Sequence, residues 1–139
     1  MDKTIWSNIK LDSYSSLDSD IKCDVLVIGG GIAGILIAYK LTNAGKNVVV
    51  VEMGKIGEKK TVKTTASITL LQDVFYNELI SNIGFDKTKT YYKACQDAIL
   101  EYKKLSNYLD FDYEDVSSYK YFKDDNENLN EEIGALNNL

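Results

Sequence analysis

The sequence CDVLVIGGGIAG, at residues 23–34, sets the fold class. A run rich in valine and isoleucine leads into three consecutive glycines, and a helical pattern follows them. Gly45 then supplies a C-terminal stop for the helix, and NVVVVE at 47–52 has the composition of a second buried strand. We therefore predict strands at 24–29 and 47–52 joined by a helix at 31–44, a βαβ unit of about 30 residues.

The glycines of this stretch have the spacing of a phosphate-binding turn, G-x-G-x-x-G, at Gly29, Gly31 and Gly34. In such a turn Gly29 makes the tight bend, and Gly31 lets a pyrophosphate approach the backbone. Gly34, together with Ala38, lets the helix pack closely against the sheet. Glu52 follows the second strand and can accept hydrogen bonds from the ribose of an adenosine. A glycine-rich turn that binds nothing is the structural alternative, but the strand, helix and acidic residue favour a dinucleotide site.

Glu52 and the composition bear on which dinucleotide binds. A carboxylate here would repel a 2′-phosphate, and the chain has no arginine to receive one, which leaves FAD or NAD. An NAD domain of the usual kind continues with regular βαβ units. Residues 55–109 of this chain are instead mostly loop and helix by pattern, and this insertion favours a flavoprotein.

The remainder of the chain has mainly helical patterns. They predict a strand at 67–71 and then a helix from Asp73 to Ile83, which Gly84 ends. A longer helix at 87–109, capped by Asp86, follows. The last two predicted elements are an antiparallel or edge strand at 112–122 and a helix at 128–139. Apolar residues of the longest helix recur in steps of four and three. That periodicity predicts a buried face of Tyr91, Cys95, Ala98, Tyr102, Leu105 and Leu109.

Length and composition limit the architecture and exclude several functions. We predict an N-terminal arm at 1–22 and one incomplete nucleotide-binding domain at 23–139. The net charge of -5, without a basic stripe, argues against nucleic acid as a partner. No stretch has the length for a membrane span or the pattern of a signal peptide, so the cytoplasm is the expected location. With no histidine, a Ser-His-Asp triad and a histidine metal site are impossible within this chain, and no metal is expected.

The segments DVLVIGGGIAG, NVVVVE, KIG and TTASIT together resemble the FAD-dependent oxidoreductases of the D-amino-acid oxidase and glycine oxidase type. The lead-in to Asp24 also resembles a bacterial subgroup whose full-length members can carry a C-terminal Rieske module. The resemblance implies an α/β, Rossmann-like fold, FAD as cofactor, and hydride transfer from the C–N bond of an amine or amino acid to flavin. It places the loop from Thr61 to Thr65 along the pyrophosphate. The cofactor-binding residues that it implies are Gly29, Gly31, Ile32, Ala33, Gly34, Glu52, Met53, Thr61, Thr64 and Thr65.

The chain departs from this family at several loop positions. Lys59 and Val62 stand where the family usually has small residues. These two bulkier side chains are expected to crowd the cofactor. Leu71, Gln72 and Asp73 stand where the subgroup tends to have Gln-His-Gly. Both departures concern the placement of the flavin.

The resemblance covers nearly the whole chain but only the N-terminal part of the family's architecture, without a substrate domain. No catalytic residue can be assigned for that reason, and the chain alone is expected to be inactive. Two hypotheses follow: the FAD-binding part of an oxidoreductase, or a non-catalytic nucleotide-binding module or remnant of such an enzyme. The strands at 24–29 and 47–52 are apolar on both faces, so we also predict self-association or a partner chain.

Overall fold

The secondary structure divides between two units of the chain. A computed structural model describes residues 11–71, 75–121 and 127–139, with one unit ending at Ala66 and the other spanning Ser67–Leu139. The N-terminal unit contains β1 (Val25–Ile28), α1 (Ile32–Asn43), β2 (Val48–Val51) and a short 3₁₀ helix (Thr61–Lys63). The C-terminal unit contains α2 (Tyr76–Ile83), α3 (Phe85–Leu105) and α4 (Glu127–Asn138).

The two strands of the N-terminal unit form a parallel sheet in which Val25 pairs with Val48 and Ile28 with Val51. Parallel strands require a crossover, and α1 supplies it. The helix ends where Gly45 takes a φ of +78°, a conformation that glycine adopts without strain. The predicted strand–helix–strand order is confirmed, and each element is shorter than predicted by one residue at each end.

The apolar strands are covered on one face by α1. Val27 is buried, and its Cγ1 lies 3.3 Å from the position that a Cβ atom on Gly34 of α1 would take. Side chains alternate along a strand, so Leu26 and Ile28 face the opposite way, where they are 53% and 82% exposed. This open apolar face supports the predicted self-association, which stays a prediction.

The C-terminal unit has a core built around α2. Tyr76 is fully buried, with its ring edge-on to that of Tyr92 at 5.4 Å between centroids. The Tyr76 hydroxyl donates to the Leu70 carbonyl at 2.9 Å, and burial raises the pKa of Tyr76 to about 12. Glu132 of α4 is buried and accepts a hydrogen bond from the Asn77 N–H at 3.0 Å. A side chain of α4 therefore satisfies one of the free N–H groups in the first turn of α2.

The bounds of α2 and α3 differ in part from those predicted. Gly84, with a φ of +85°, ends α2 as expected, whereas the predicted cap Asp73 lies outside the described residues. Gly84 is also the N-cap of α3, so Asp86 lies inside the first turn and the prediction that it caps the helix is wrong. The helix ends at Leu105, four residues before the predicted Leu109.

The buried face of α3 is rotated from the one predicted. Leu105 is buried as predicted, and Thr88 is buried although it was not predicted. Three members of the predicted face are exposed, namely Tyr91, Ala98 and Leu109. Thr88 tolerates burial because its hydroxyl donates to the Gly84 carbonyl at 2.9 Å, so no polar group is left unsatisfied. The observed face includes the half-buried Cys95 and Tyr102, as predicted, together with the half-buried Tyr92 and Ile99, which were not predicted.

The two strands predicted in this unit do not form within the described residues. Residues 67–71 and 112–121 are irregular, so the small antiparallel element of the predicted fold is wrong. At 67–71 the Thr69 hydroxyl accepts the Leu71 N–H at 3.0 Å and donates to the Ser118 hydroxyl at 3.0 Å. These side-chain bonds take the place of a backbone ladder. The predicted C-terminal helix is confirmed as α4.

The segment before β1 is irregular at 11–22, and its residues are exposed. The domain bounds predicted at 1–22 and 23–139 stay a prediction, as does the cytoplasmic location. Among the helices of the described ranges, none has both the length and the apolar composition to cross a membrane.

Candidate cofactor-binding site

The turn between β1 and α1 contains positions that favour glycine, either because of a positive φ angle or because another atom lies too close for a Cβ atom. Gly29 has a φ of +107°, in the region that favours glycine. A Cβ atom on Gly34 would lie 2.0 Å from the Gly29 carbonyl oxygen, a separation that real structures do not tolerate. Gly34 thus permits close approach of the helix to the strand end, which is the packing role that its spacing predicts.

The two central glycines of the turn differ in what surrounds them. A Cβ atom on Gly30 would lie 3.0 Å from Ile56 Cγ1 and 3.2 Å from Glu52 Cβ, so the fold itself favours glycine there. Gly31 has an ordinary φ of -79°, and a Cβ atom on it would meet nothing closer than Thr61 Oγ1 at 3.6 Å. The fold gives no steric reason for glycine at position 31, because a Cβ atom there would make only an ordinary van der Waals contact with Thr61.

The first turn of α1 presents backbone donors to this space. The Ile32 N–H donates to Thr61 Oγ1 at 3.1 Å. Among the residues that the structure describes, no partner accepts the N–H groups of Gly31, Ala33 and Gly34. Unpaired N–H groups and the positive end of the helix dipole favour an anion at this place.

Glu52 lies beside the same turn, directly after β2. Its Oε2 accepts the Gly30 N–H at 2.8 Å, and its Oε1 accepts the Gly54 N–H at 2.9 Å. The hydrogen bonds from Gly54 and Gly30 lower the pKa of Glu52, so the side chain is a carboxylate at neutral pH. Lys59 Nζ lies 3.6 Å from Oε1. A carboxylate has about four lone-pair positions, so Glu52 has acceptor capacity beyond its two backbone bonds.

The loop after β2 is joined to the glycine turn at two further points. The Gly57 N–H donates to the Gly30 carbonyl at 2.8 Å, and Thr61 accepts from Ile32 as described. Thr64 donates to the Thr61 carbonyl at 3.2 Å, so its hydroxyl stabilises the turn that carries Thr61. Met53 is 91% exposed.

The structure therefore brings most of the predicted cofactor-binding residues to one place. Those that meet at the glycine turn are Gly29, Gly31, Ile32, Ala33, Gly34, Glu52 and Thr61. Met53, Thr64 and the exposed Thr65 lie along the same loop, and their roles stay a prediction.

Three residues at the turn were not predicted: Gly30, Ile56 and Gly57. The signal for Gly30 is in the sequence, since three consecutive glycines are one more than the motif needs. Ile56 and Gly57 lie in the KIG segment that contributes to the family resemblance, but their contacts with the turn could not be predicted from it because these depend on the course of the loop.

The groups at the turn are suited to binding a dinucleotide. The open N–H groups of Gly31, Ala33 and Gly34 match a pyrophosphate, and the carboxylate of Glu52 matches the hydroxyls of a ribose. Within the described parts of the chain, no group of three or more Cys, Asp or Glu side chains could hold a metal ion.

Comparison with known families gives the class of protein. Residues 24–139 match the family described as FAD dependent oxidoreductase, which covers most of the chain. The chain therefore belongs to this FAD-dependent family, and the resemblance inferred from the sequence is confirmed. No solved structure matches the chain significantly.

Three curated relatives share parts of this sequence. A putative Rieske 2Fe-2S iron-sulfur protein of Bacillus subtilis, YhfW, is 36% identical over 132 residues, which are 94% of this chain and 26% of that protein. A glycine oxidase of Bacillus licheniformis is 35% identical over 86 residues, or 62% of this chain and 20% of the relative. A gamma-glutamylputrescine oxidoreductase of Escherichia coli is 44% identical over 48 residues, or 34% of this chain and 11% of the relative. The chain thus spans about a quarter or less of the length of these relatives.

Proposed function

We propose that this chain is the N-terminal, FAD-binding part of an oxidoreductase that acts on an amine or an amino acid. Membership of the FAD-dependent family supports the cofactor and the reaction class. The names of two relatives, a glycine oxidase and a gamma-glutamylputrescine oxidoreductase, support a substrate that carries an oxidisable C–N bond. FAD would supply the redox chemistry by accepting a hydride from that substrate.

One observation carries the assignment of the binding site: Gly31 is a glycine although the fold has room for a Cβ atom there. The other three glycines of the turn are explained by a positive φ or by a close atom, but Gly31 is not. Its position at the start of α1, next to free N–H groups, is where a pyrophosphate would approach the backbone. A Cβ atom at this position would fill the space that the phosphate needs.

Each group at the turn has a distinct part in this proposal. The N–H groups of Gly31, Ala33 and Gly34 bind the pyrophosphate. Glu52 accepts hydrogen bonds from the adenosine ribose. Thr61 positions its loop through the bond from Ile32, so that the 61–65 segment borders the pyrophosphate.

Titration with ADP, which carries the adenosine and pyrophosphate groups, tests the site without requiring turnover. The backbone amide signals of Gly29–Gly34 should shift on binding in an NMR titration. Glu52→Ala should weaken binding about ten- to hundredfold, the scale expected for hydrogen bonds to a charged group. Glu58→Ala is the matched control, because Glu58 is an exposed acid of the same loop that pairs with Lys55.

Shifts confined to other parts of the chain would show that the glycine turn is not the site. Equal ADP affinity in Glu52→Ala and Glu58→Ala, with both variants folded, would remove Glu52 from the ribose contact. Binding without any amine or amino-acid oxidation in the full-length protein would favour the alternative of a non-catalytic nucleotide-binding module. The inactivity of the chain alone stays a prediction.

A further inference from the structure

Lys59 places a positive charge at the ribose end of the site. Its ammonium lies 3.6 Å from Glu52 Oε1, and its side chain is 58% exposed, against 15% for Glu52. We propose that Lys59 is an intramolecular competitor for the Glu52 carboxylate, and that a ribose must displace Lys59 to form both of its hydrogen bonds to Glu52. The proposal rests on the proposed function, in which Glu52 binds the ribose.

The hydrogen bonds of Glu52 leave little room for both partners. The Gly30 N–H occupies one position on Oε2, and the Gly54 N–H occupies one on Oε1. These bonds tie β2 to the glycine turn, so a ligand cannot take them without disturbing the site. About two lone-pair positions remain, one on each oxygen, and a ribose brings two hydroxyl donors. Because Lys59 stands beside Oε1, it competes for one of these two positions.

The geometry allows Lys59 to leave. Its Cε lies 3.6 Å from the position that a Cβ atom on Gly54 would take, so the lysine stem passes over a residue without a side chain. The ammonium is exposed to solvent, where an ion pair of this kind shifts an equilibrium by about two- to fivefold. The contact therefore tunes affinity without blocking the site.

Adenosine is the probe that separates this proposal from simple charge attraction. Lys59 would attract the phosphates of ADP, but adenosine carries no phosphate and tests the ribose contact alone. In Lys59→Ala the affinity for adenosine should rise about two- to fivefold. The control is Lys55→Ala, which removes a lysine of the same loop that pairs with Glu58 at 3.8 Å and should leave the affinity unchanged.

Salt provides a second measurement on unmodified protein. Added salt screens an exposed ion pair, so it should raise the adenosine affinity of the wild type toward that of Lys59→Ala. The affinity of Lys59→Ala itself should not respond. Adenosine affinity that is equal or lower in Lys59→Ala, with shifts at Gly29–Gly34 intact, would overturn the competitor role and leave the proposed function standing. If adenosine shifts no signal at the glycine turn or Glu52 in any form, while ADP also fails, the proposed function and this inference both fall.

Discussion

Each of the two units of this chain is stabilised internally by a different kind of contact. In the N-terminal unit, the buried residues among those described are Val27 and Gly30. The glycine turn can adopt its shape because Gly30 and Gly34 have no Cβ atom. In the C-terminal unit the core consists of side chains, with Tyr76, Leu105 and Ala135 buried. The first unit should therefore be sensitive to added atoms and the second to removed ones. Two experiments test this contrast, and a third tests the hydrogen bonds of Glu52 in the N-terminal unit.

The largest effect is expected in the C-terminal unit, at Tyr76. Tyr76→Ala removes a fully buried ring and should lower the free energy of unfolding by about 3–5 kcal/mol. Tyr76→Phe keeps the ring but leaves the Leu70 carbonyl without its donor, and should cost about 1 kcal/mol. Urea unfolding of each variant gives these values. Tyr119→Ala is the control because Tyr119 is 86% exposed, and a loss there equal to that of Tyr76→Ala would contradict the assigned core.

Adding one methyl group to the glycine turn should give two different results at two positions. Gly34→Ala places a Cβ atom 2.0 Å from the Gly29 carbonyl and should destabilise the N-terminal unit by about 3 kcal/mol. Gly31→Ala meets no atom closer than 3.6 Å, so folding should be retained. Its ADP affinity should nevertheless fall about tenfold or more, because the methyl group occupies the pyrophosphate position.

Unfolding curves and ADP titrations of the two variants, measured in parallel, check this pair. Loss of folding in Gly31→Ala, or normal ADP binding by it, would mean that the glycine at position 31 has another explanation. Normal stability in Gly34→Ala would mean that the helix can shift away from the strand end.

The smallest effect is expected in the pH dependence of stability, through the hydrogen bonds by which Glu52 joins β2 to the glycine turn. The pKa of Glu52 is lowered from an ordinary value of 4.5, so its carboxylate contributes stability above that pH and loses the contribution as the pH falls below it. Glu52→Gln removes the charge but keeps one acceptor oxygen. The stability difference between wild type and Glu52→Gln should be largest near neutral pH and vanish in acid. A difference that grows as the pH falls would contradict the sign of this shift.

The parts of the fold that could be predicted depend on local chemistry. Short runs rich in valine and isoleucine indicate β1 and β2, and Gly45 and Gly84 end helices because they adopt positive φ angles. The roles of Gly29 and Gly34 also follow from backbone geometry at fixed spacing. The N-terminal unit was predictable because each signal lies within a few residues of its effect.

The incorrect predictions concern segments whose structure depends on residues distant in the sequence or on the hydrogen bonds of buried polar groups. Strand propensity at 67–71 was real, but a strand needs a ladder partner, and the hydroxyl of Thr69 took the N–H that a ladder would use. On α3 the apolar periodicity overlooked Thr88, whose burial depends on its bond to the Gly84 carbonyl. At the site, the pairing of Lys59 with Glu52 could not be read from spacing, because it depends on the path of the loop.

The location of the site's hydrogen bonds in the sequence has a consequence for synthesis of the protein. The bonds that join the glycine turn, Glu52 and the loop all connect residues between Gly30 and Thr61. A ribosome adds a segment of this length within seconds, at roughly 5–20 residues per second. The glycine turn and its loop can therefore assemble on the nascent chain, and if they bind a nucleotide as proposed, binding at that stage would stabilise the N-terminal unit while translation continues.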